Sequence, residues 1–557
     1  MSDRYVDLLH GQKAHALLDD GFFVELWRKL YEQCPHATAF QGPNFVRTWY
    51  KTYREQWQPV ILLWRHSDEE LAGLWMLAYN ISAKELSHAG TIQSEYQAWL
   101  ALPGKDIPFL SAAWEEIKRC FAFAALRFIY LPAASLGGIL QAVPSMKNCV
   151  AVRKQSRPLL PLTPEGIKES FSKKSNKSRF NRLKKLGSLE FRRITDPAEL
   201  DRMFSDMIMY YDFRQTSVSH IAPFQADPLK RIFHMNLFAG SPAENYVTAA
   251  YLNERLISAF WGAVSGRVVH LGMLVFSPFV AEHSPGKLHI MQLSELLLRD
   301  EKTLLDLTPG GCTWKERFAD AHDEVAEAVI YSSASVKMRD DVLHEFLHLG
   351  KRCASGVGIP VATVKAAVSC LRDFRPARVV QKMKNRHGQS RQLCVYRCNR
   401  ARAETFQCDG DLNCNSITDL FLFEAVRADE DRDAFLSEAL ARLEHGQFVY
   451  TARANNRLAF CGWMTKTTTA FPAGEVGQSL PLPPGSVALR DFYSHPDLHD
   501  AGCFESAIRR MVCEAFASEG VSEAYIFLQP DVLDIRQAIE SLGFEHIRTL
   551  ALKSASE

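Results

Sequence analysis

The chain has 557 residues, 47% hydrophobic and 23% charged; these globular values exclude a disordered chain, and at the ~100–200 residues usual per domain they imply three or four compact units. With 65 Lys and Arg against 64 Asp and Glu the formal net charge is +1, so total charge points to no polyanionic partner and only local patches can. Thirteen cysteines scattered from Cys34 to Cys513 lack framework spacing and read as reduced thiols of a cytoplasmic chain.

The first expected unit is 1–150. MSDRYVDLLH has no uninterrupted apolar core, so no secretory signal is expected. VILLWRH (Val60–His66) and LAGLWMLAYN flank an acidic turn at Asp68–Glu70 and predict a β-hairpin. Trp114–Phe123 has helical pattern. The uncharged run from Phe128 to Met146 contains Pro132, Gly137, Gly138 and Pro144, which break a membrane helix; a strand, Leu126–Leu131, and a short helix are expected instead. No membrane span is therefore expected, while peripheral contact with a membrane stays open.

The second unit, 151–350, opens with a basic helix. Between Lys173 and Arg193 nine basic residues face one acidic residue, Glu190, while Phe180, Leu183 and Leu186 recur at helical spacing. That face is solvated, or contacts phosphates of a cofactor or sugar-nucleotide, or binds RNA or an anionic membrane; the sparse aromatics argue against specific nucleic-acid recognition. Strands follow at Leu189–Ile194, Tyr246–Leu252, Leu256–Val264 and Val268–Phe276, with a helix opening at Asp196-Pro197. Next come the loop Ser284-Pro285-Gly286-Lys287, a helix to Arg299 and a strand, Thr303–Leu307. A strand feeding a glycine loop at a helix start exposes free N–H groups that suit a diphosphate, and Lys287 adds charge.

Residues 351–400 read as a basic linker and 401–557 as a third α/β unit. His344-Glu345-Phe346-Leu347-His348 fits the zinc-binding H-E-x-x-H spacing, but no third ligand is evident beyond Asp373 and His387. Cys394, Cys398, Cys408 and Cys414 lack paired knuckles. No metal is expected, and no Ser/His/Asp triad is signalled.

In the third unit the strand Val487–Tyr493 leads to HDAGCF (His499–Phe504) and a helix, then to a strand, Ala524–Leu528, Asp531, and IRQAIESLGF. This series resembles the C-terminal half of GNAT acetyltransferases, whose phosphate loop reads Arg/Gln-x-x-Gly-x-Gly/Ala. The likeness spans about 110 residues and speaks to fold before function. Gly502 matches the motif, whereas His499 and Phe504 depart from it, and Ile539 stands where the family commonly has the tyrosine that protonates the leaving thiolate. The resemblance implies cofactor contacts at His499, Asp500, Gly502, Phe504 and Asp531. Glu475 and Tyr493 are acceptor-site candidates, a carboxylate there being able to take a proton from an ammonium.

The second unit carries a related resemblance. Its Ser284-Pro285-Gly286 loop, Asp306-x-x-x-Gly310 and Trp314-Lys315-x-x-Phe318 block, with AFQGPNFVRTWYKTY near the start, resembles acetyltransferases associated with cellulose and exopolysaccharide synthesis (CelD-like GNAT proteins). It implies an α/β (α+β) fold of mixed sheets, tandem GNAT-like folds in which the first two units form one double module. Ser284, Pro285, Gly286 and Lys287 would hold acetyl-CoA or another acyl-CoA. Asp306 and Lys315 would contact acceptor or phosphate, or else close a loop as a structural pair. The partners implied are a small-molecule donor and an amine or hydroxyl acceptor, such as a sugar or polysaccharide precursor. Alternatives are a FemAB-like aminoacyl transferase using charged tRNA and a non-catalytic GNAT-fold scaffold.

Overall fold

The structure is a computed structural model and describes residues 6–342, 392–406, 412–427, 430–466, 470–473, 478–498, 501–528 and 533–551. The H-E-x-x-H stretch and the linker segment 343–391 lie outside these residues, as do Cys408, Glu475, His499, Asp500 and Asp531. Two compact units emerge: the described parts of 1–207, 227–275 and 286–369 form one, and those of 208–226, 276–285 and 370–557 the other.

The first unit begins with a five-stranded sheet of β1 (Asp7–His10), β2 (Gln58–Ser67), β3 (Glu70–Asn80), β4 (Glu85–His88) and β5 (Leu100–Ala101). The expected hairpin is β2–β3, paired from Gln58↔Tyr79 to Ser67↔Glu70. Its strands are apolar on both faces because both are covered. Ile61 and Leu63 join a core with Trp27 and Trp49 from helices α1 (Gln12–Asp19), α2 (Gly21–Gln33) and α3 (Pro43–Thr52). Val60 and Leu62 pack with Phe109 and Trp114 of α4 (Asp106–Cys120). At Gly73 a Cβ would lie 2.6 Å from the Phe109 ring, so only glycine lets the sheet and α4 approach.

The same unit holds an eight-stranded sheet in the order β6-β13-β7-β12-β11-β10-β9-β8. The expected strands are β6 (Ala125–Leu131), β8 (Leu189–Ile194), β9 (Asn245–Leu252), β10 (Arg255–Ser265), β11 (Val268–Phe276) and β12 (Leu304–Asp306). Two long strands went unforeseen, β7 (Val150–Pro161) and β13 (Ala321–Tyr331), which pair over ten residues from Ile330↔Val150 to Ala321↔Leu159. Their sequences mix charges into the alternation (VAVRKQSR, AHDEVAEA), which blurs the period-2 signal. Helices α5 (Ala134–Ala142), α6 (Pro164–Ser172), α7 (Lys174–Lys185), α8 (Pro197–Ser219) and α9 (Leu229–Gly240) intervene, and α10 (Pro285–Arg299) carries the chain from β11 to the parallel β12.

The second unit repeats the plan in a seven-stranded sheet, β15-β16-β17-β20-β21-β14-β22. Its strands are β14 (Gln392–Asn399), β15 (Asn413–Cys414), β16 (Phe448–Ala454), β17 (Arg457–Lys466), β20 (Ser486–Ser494), β21 (Glu523–Leu528) and β22 (Glu545–Ala551); β18 (Ala470–Ala473) and β19 (Gln478–Pro481) form a separate ribbon. Helices α11 (Arg432–Glu444), α12 (Ala501–Ala517) and α13 (Leu533–Ser541) complete it. In both units an antiparallel run ends in a strand joined through a helix to a parallel neighbour. The fold is mixed α/β, with mixed sheets in both units.

Among the described residues no helix is long and apolar enough to cross a membrane. Eight described cysteines are free, but Cys513 is disulfide-bonded, which corrects the reading of all thirteen as thiols: irregular spacing does not forbid a single bridge.

Candidate functional site

The first unit's parallel pair is short. β11 and β12 are in register only from Val268↔Leu304 to His270↔Asp306, after which β11 runs on to Phe276 while the other strand ends. The carboxyl ends of parallel strands that part in this way leave a crevice where ligands bind in α/β sheets.

Asp306 sits at the parting point, fully buried. Its Oδ2 accepts hydrogen bonds from the Tyr96 hydroxyl (2.7 Å) and His270 Nδ1 (2.8 Å), with Arg157 Nη1 at 3.4 Å, and its Oδ1 accepts the Thr308 N–H (2.8 Å). Burial pushes its carboxyl pKa upward, but His270, Arg157 and Tyr96 together outweigh that and hold it below the usual range. Its oxygens are thus filled from within the protein. Arg157 is shared with Asp323 and lies over the Tyr96 ring at 5.4 Å.

A Ser–His–Asp order does occur here, unsignalled by sequence: His270 Nε2 lies 2.9 Å from Ser265 Oγ. That oxygen also accepts the Ala39 N–H at 2.7 Å and hydrogen-bonds the Tyr31 hydroxyl. A serine held from three sides is a structural tie rather than a free nucleophile.

Beside this anchor Glu95 and Lys315 both meet Thr308. Glu95 hydrogen-bonds Thr308, and Lys315 Nζ donates to Thr308 Oγ1 (2.9 Å), Thr308 O (3.0 Å) and Pro309 O (3.0 Å). Burial, aided by the Asp306 charge, raises Glu95 to about 7 despite the attraction of Lys315. Burial likewise lowers the Lys315 pKa, with Glu95 and Asp306 pulling the other way. The segment carrying Glu95 is fixed on both sides, since Gln41 Nε2 donates to Tyr96 O (2.8 Å) and the Gln97 N–H to Tyr130 O (2.8 Å). Sequence reading missed Glu95 because one carboxylate in QSEYQAW carries no motif; only the fold brings it to Thr308.

The other end of the crossover is basic. Ser284 adopts the left-handed region (φ 57°), Pro285 starts α10, and both group with the second unit. Gly286 and Lys287 group with the first; Gly286 is buried and Lys287 half-buried. Burial lowers the Lys287 pKa, and the nearby charges of Arg179, Lys173 and Arg317 lower it further. Arg179 and Lys173 come from the basic helix, α7 and its first flank, so the structure brings that helix to the expected phosphate loop.

In the second unit Gly502 lies in the first turn of α12. The side chain of Phe504 is buried in the core, with rings of Phe460 and Phe492 at 5.7 and 5.8 Å. The helix turns that position inward, so its bulk packs the sheet. Ile539 is fully buried in the same core. Tyr493, near the end of β20, packs against Phe423 at 4.9 Å; its hydroxyl lies 3.5 Å from Glu424 O and burial raises it to about 12. The described residues hold no cluster of three His, Cys, Asp or Glu placed for a metal ion.

Residues 170–316 match the family model of the acetyltransferase (GNAT) domain, a span from the end of α6 through β12 to the loop bearing Lys315. That stretch of the chain is thus similar to a GNAT acetyltransferase domain. No curated protein matches it. Solved structures similar to it include FemX (10% identity, TM-score 0.39, covering 57% of this chain and 98% of that one). Others are a tandem GNAT protein from the clavulanic acid biosynthesis pathway (12%, 0.37, 59% and 99%) and L-PGS from Bacillus licheniformis (8%, 0.35, 56% and 91%).

Proposed function

We propose that the protein is an acyl-CoA-dependent acyltransferase that works in its first unit, at the opening between β11 and β12. The observation that carries this reading is the parting of the parallel pair inside the matched GNAT domain, with the Glu95–Lys315 pair at the strand end and Lys287 at the helix start. Lys287, Gly286 and the cations around them hold the donor's phosphates, where the α10 first turn adds its free N–H groups; Ser284 and Pro285 shape that turn.

A thioester is already activated, so the protein need only orient an amine or hydroxyl against the carbonyl and remove a proton. Glu95 takes that proton as the new N–C or O–C bond forms; the C–S bond then breaks and the thiolate leaves to be protonated by solvent. A carboxyl poised near 7 suits this work. Lys315 keeps Thr308 and the loop in place, and Asp306 anchors the strand end. The second unit, with His499, Asp500, Gly502, Asp531, Glu475 and Tyr493, is proposed as a companion domain rather than a second centre of turnover. Division at 1–150, 151–350, 351–400 and 401–557 and a cytoplasmic setting rest on sequence pattern and cysteine usage, and a sugar or polysaccharide-precursor acceptor on the family resemblance alone.

The test is release of free thiol from acetyl-CoA by the full-length protein with a panel of amino sugars and amines. Glu95→Gln should abolish it, and thiol release insensitive to that change sinks the assignment. The exposed basic face of α7 favours one rival, transfer from charged tRNA; activity that needs tRNA and is lost on RNase treatment selects it.

A further inference from the structure

Helix α7 has two sides of different character. Asn176 and Leu183 are buried, with Phe180 half-buried beside them, and this side seats the helix on the first unit. Lys174, Lys177, Arg182, Lys184 and Lys185 all occupy exposed positions. None of the five has an ion-pair partner among the described residues. The carboxylates nearest in sequence are engaged elsewhere, Glu169 with Lys173 and Glu190 with Arg192. Arg179 is half-buried on the flank, and its charge acts on Lys287, so it belongs with the phosphate-loop cations described above. The arrangement works partly against the helix. Cations in the last turn suit the helix dipole, but Lys174 and Lys177 in the first turns oppose it. Lys174 with Lys177, and Arg182 with Lys185, also stand three residues apart, where like charges repel. A charged row that its own helix does not reward points to an anion outside the chain.

Such a face admits two kinds of polyanion, nucleic acid and an anionic bilayer, and its composition separates them. All but Arg182 are lysines, compact charges without the planar fork that matches phosphates and base edges. No aromatic ring of α7 stands free to stack a base: Phe180 is half-buried, with Lys184 Nζ over its ring at 4.6 Å. The face is the convex outer side of one 12-residue helix, roughly 18 Å long, whereas proteins that follow a nucleic-acid strand do so along a groove. Leu186 comes directly after the row and is 49% exposed, which supplies an apolar side chain able to enter a bilayer. Flexible lysine stems reaching a plane of charge, with a leucine among them, are what a basic helix lying on a membrane surface presents.

We infer that the exposed side of α7 docks the first unit on an anionic lipid bilayer, with Lys174, Lys177, Arg182, Lys184 and Lys185 against the headgroups and Leu186 inserted at the end of the row. The attachment is peripheral and reversible, carried by charge and one apolar side chain. It goes beyond the acyltransferase reading and does not depend on it.

Sedimentation of the full-length protein with lipid vesicles tests it. Vesicles of phosphatidylcholine with about one-third phosphatidylglycerol should carry the protein down at low salt, and phosphatidylcholine alone should not. Roughly 1 M salt, which cuts the screening length to about 3 Å, should release it. Each charge removed should lower partition about fivefold, so Lys185→Gln costs that factor and the pair Lys174→Gln with Lys185→Gln about 25-fold. Both positions are exposed, and the melting temperature of the pair variant should match the unaltered protein. Leu186→Ser should weaken partition by a factor that salt does not change. Lys13→Gln, at an exposed position of α1, removes the same charge and should leave partition as it was. No sedimentation with the anionic vesicles at low salt overturns the inference, as does equal sedimentation with neutral ones. So does anionic binding that the α7 pair leaves untouched or that Lys13→Gln weakens equally. Binding of tRNA that the α7 pair weakens, in a protein that ignores the anionic vesicles, gives the face to nucleic acid instead.

Discussion

Asp306 and Glu95, whose charges act on one another, have opposite fates, and the difference is who hydrogen-bonds them. Asp306 receives Tyr96, His270, Arg157 and the Thr308 N–H, which favour its charge. Because its folded pKa is depressed, its stabilising contribution is present above the ordinary aspartate range and is lost as pH falls below it. Tyr96→Phe removes one donor and should destabilise by about 1–3 kcal/mol in chemical denaturation at neutral pH, with the gap closing in acid. Glu95 has the opposite sign: raised to about 7, it opposes folding increasingly as pH climbs from the ordinary glutamate range to 7. If it is the base, kcat/KM should rise with pH to a plateau above about 7. Glu95→Gln should lower kcat by roughly 10²–10⁴-fold and erase that limb, as removal of a general base does.

At the scale of elements the decisive feature is the crossover from β11 through α10 to β12. It was legible in sequence because the apolar run VVHLGMLVF, the Pro285-Gly286 break and the helical spacing to Arg299 each carry a separate signal. Lys287→Ala should raise KM for acyl-CoA by about tenfold with little change in kcat, the signature of lost ground-state binding. What stayed hidden were the contributions of distant segments. β7 borders β12 and β13 borders β7, yet both carry charges that mask their strand period, and Glu95 arrives from a loop with no motif. Spacing also did not show which way Phe504 points: the helix that begins just before it turns its side chain into the core. The hairpin β2–β3, by contrast, announced itself. Gly73→Ala there forces a Cβ into the Phe109 ring and should cost about 1–3 kcal/mol in thermal or denaturant unfolding, as overpacking does.

At the scale of the whole molecule, two sheets share one plan but differ in what surrounds their crossover helices. The first has Lys287 with three further cations at the helix start, while the second buries Phe504 and Ile539 in its core. Calorimetric titration should therefore give one CoA per chain, bound about tenfold more weakly in Lys287→Ala; two equivalent sites would contradict the assignment of turnover to the first unit.

The hydrogen bond from Tyr96 to Asp306 also governs how far the chain can be trimmed. A fragment cut to the matched span 170–316 would keep Asp306 but discard Tyr96 and Arg157, together with the strand β7 that covers one edge of β12. Its most sheltered negative charge would lose two of its donors, and a sheet interior would become a raw margin prone to sticking to other chains. The smallest stable fragment should therefore begin upstream of the matched span, near the first helices, and extend past β13.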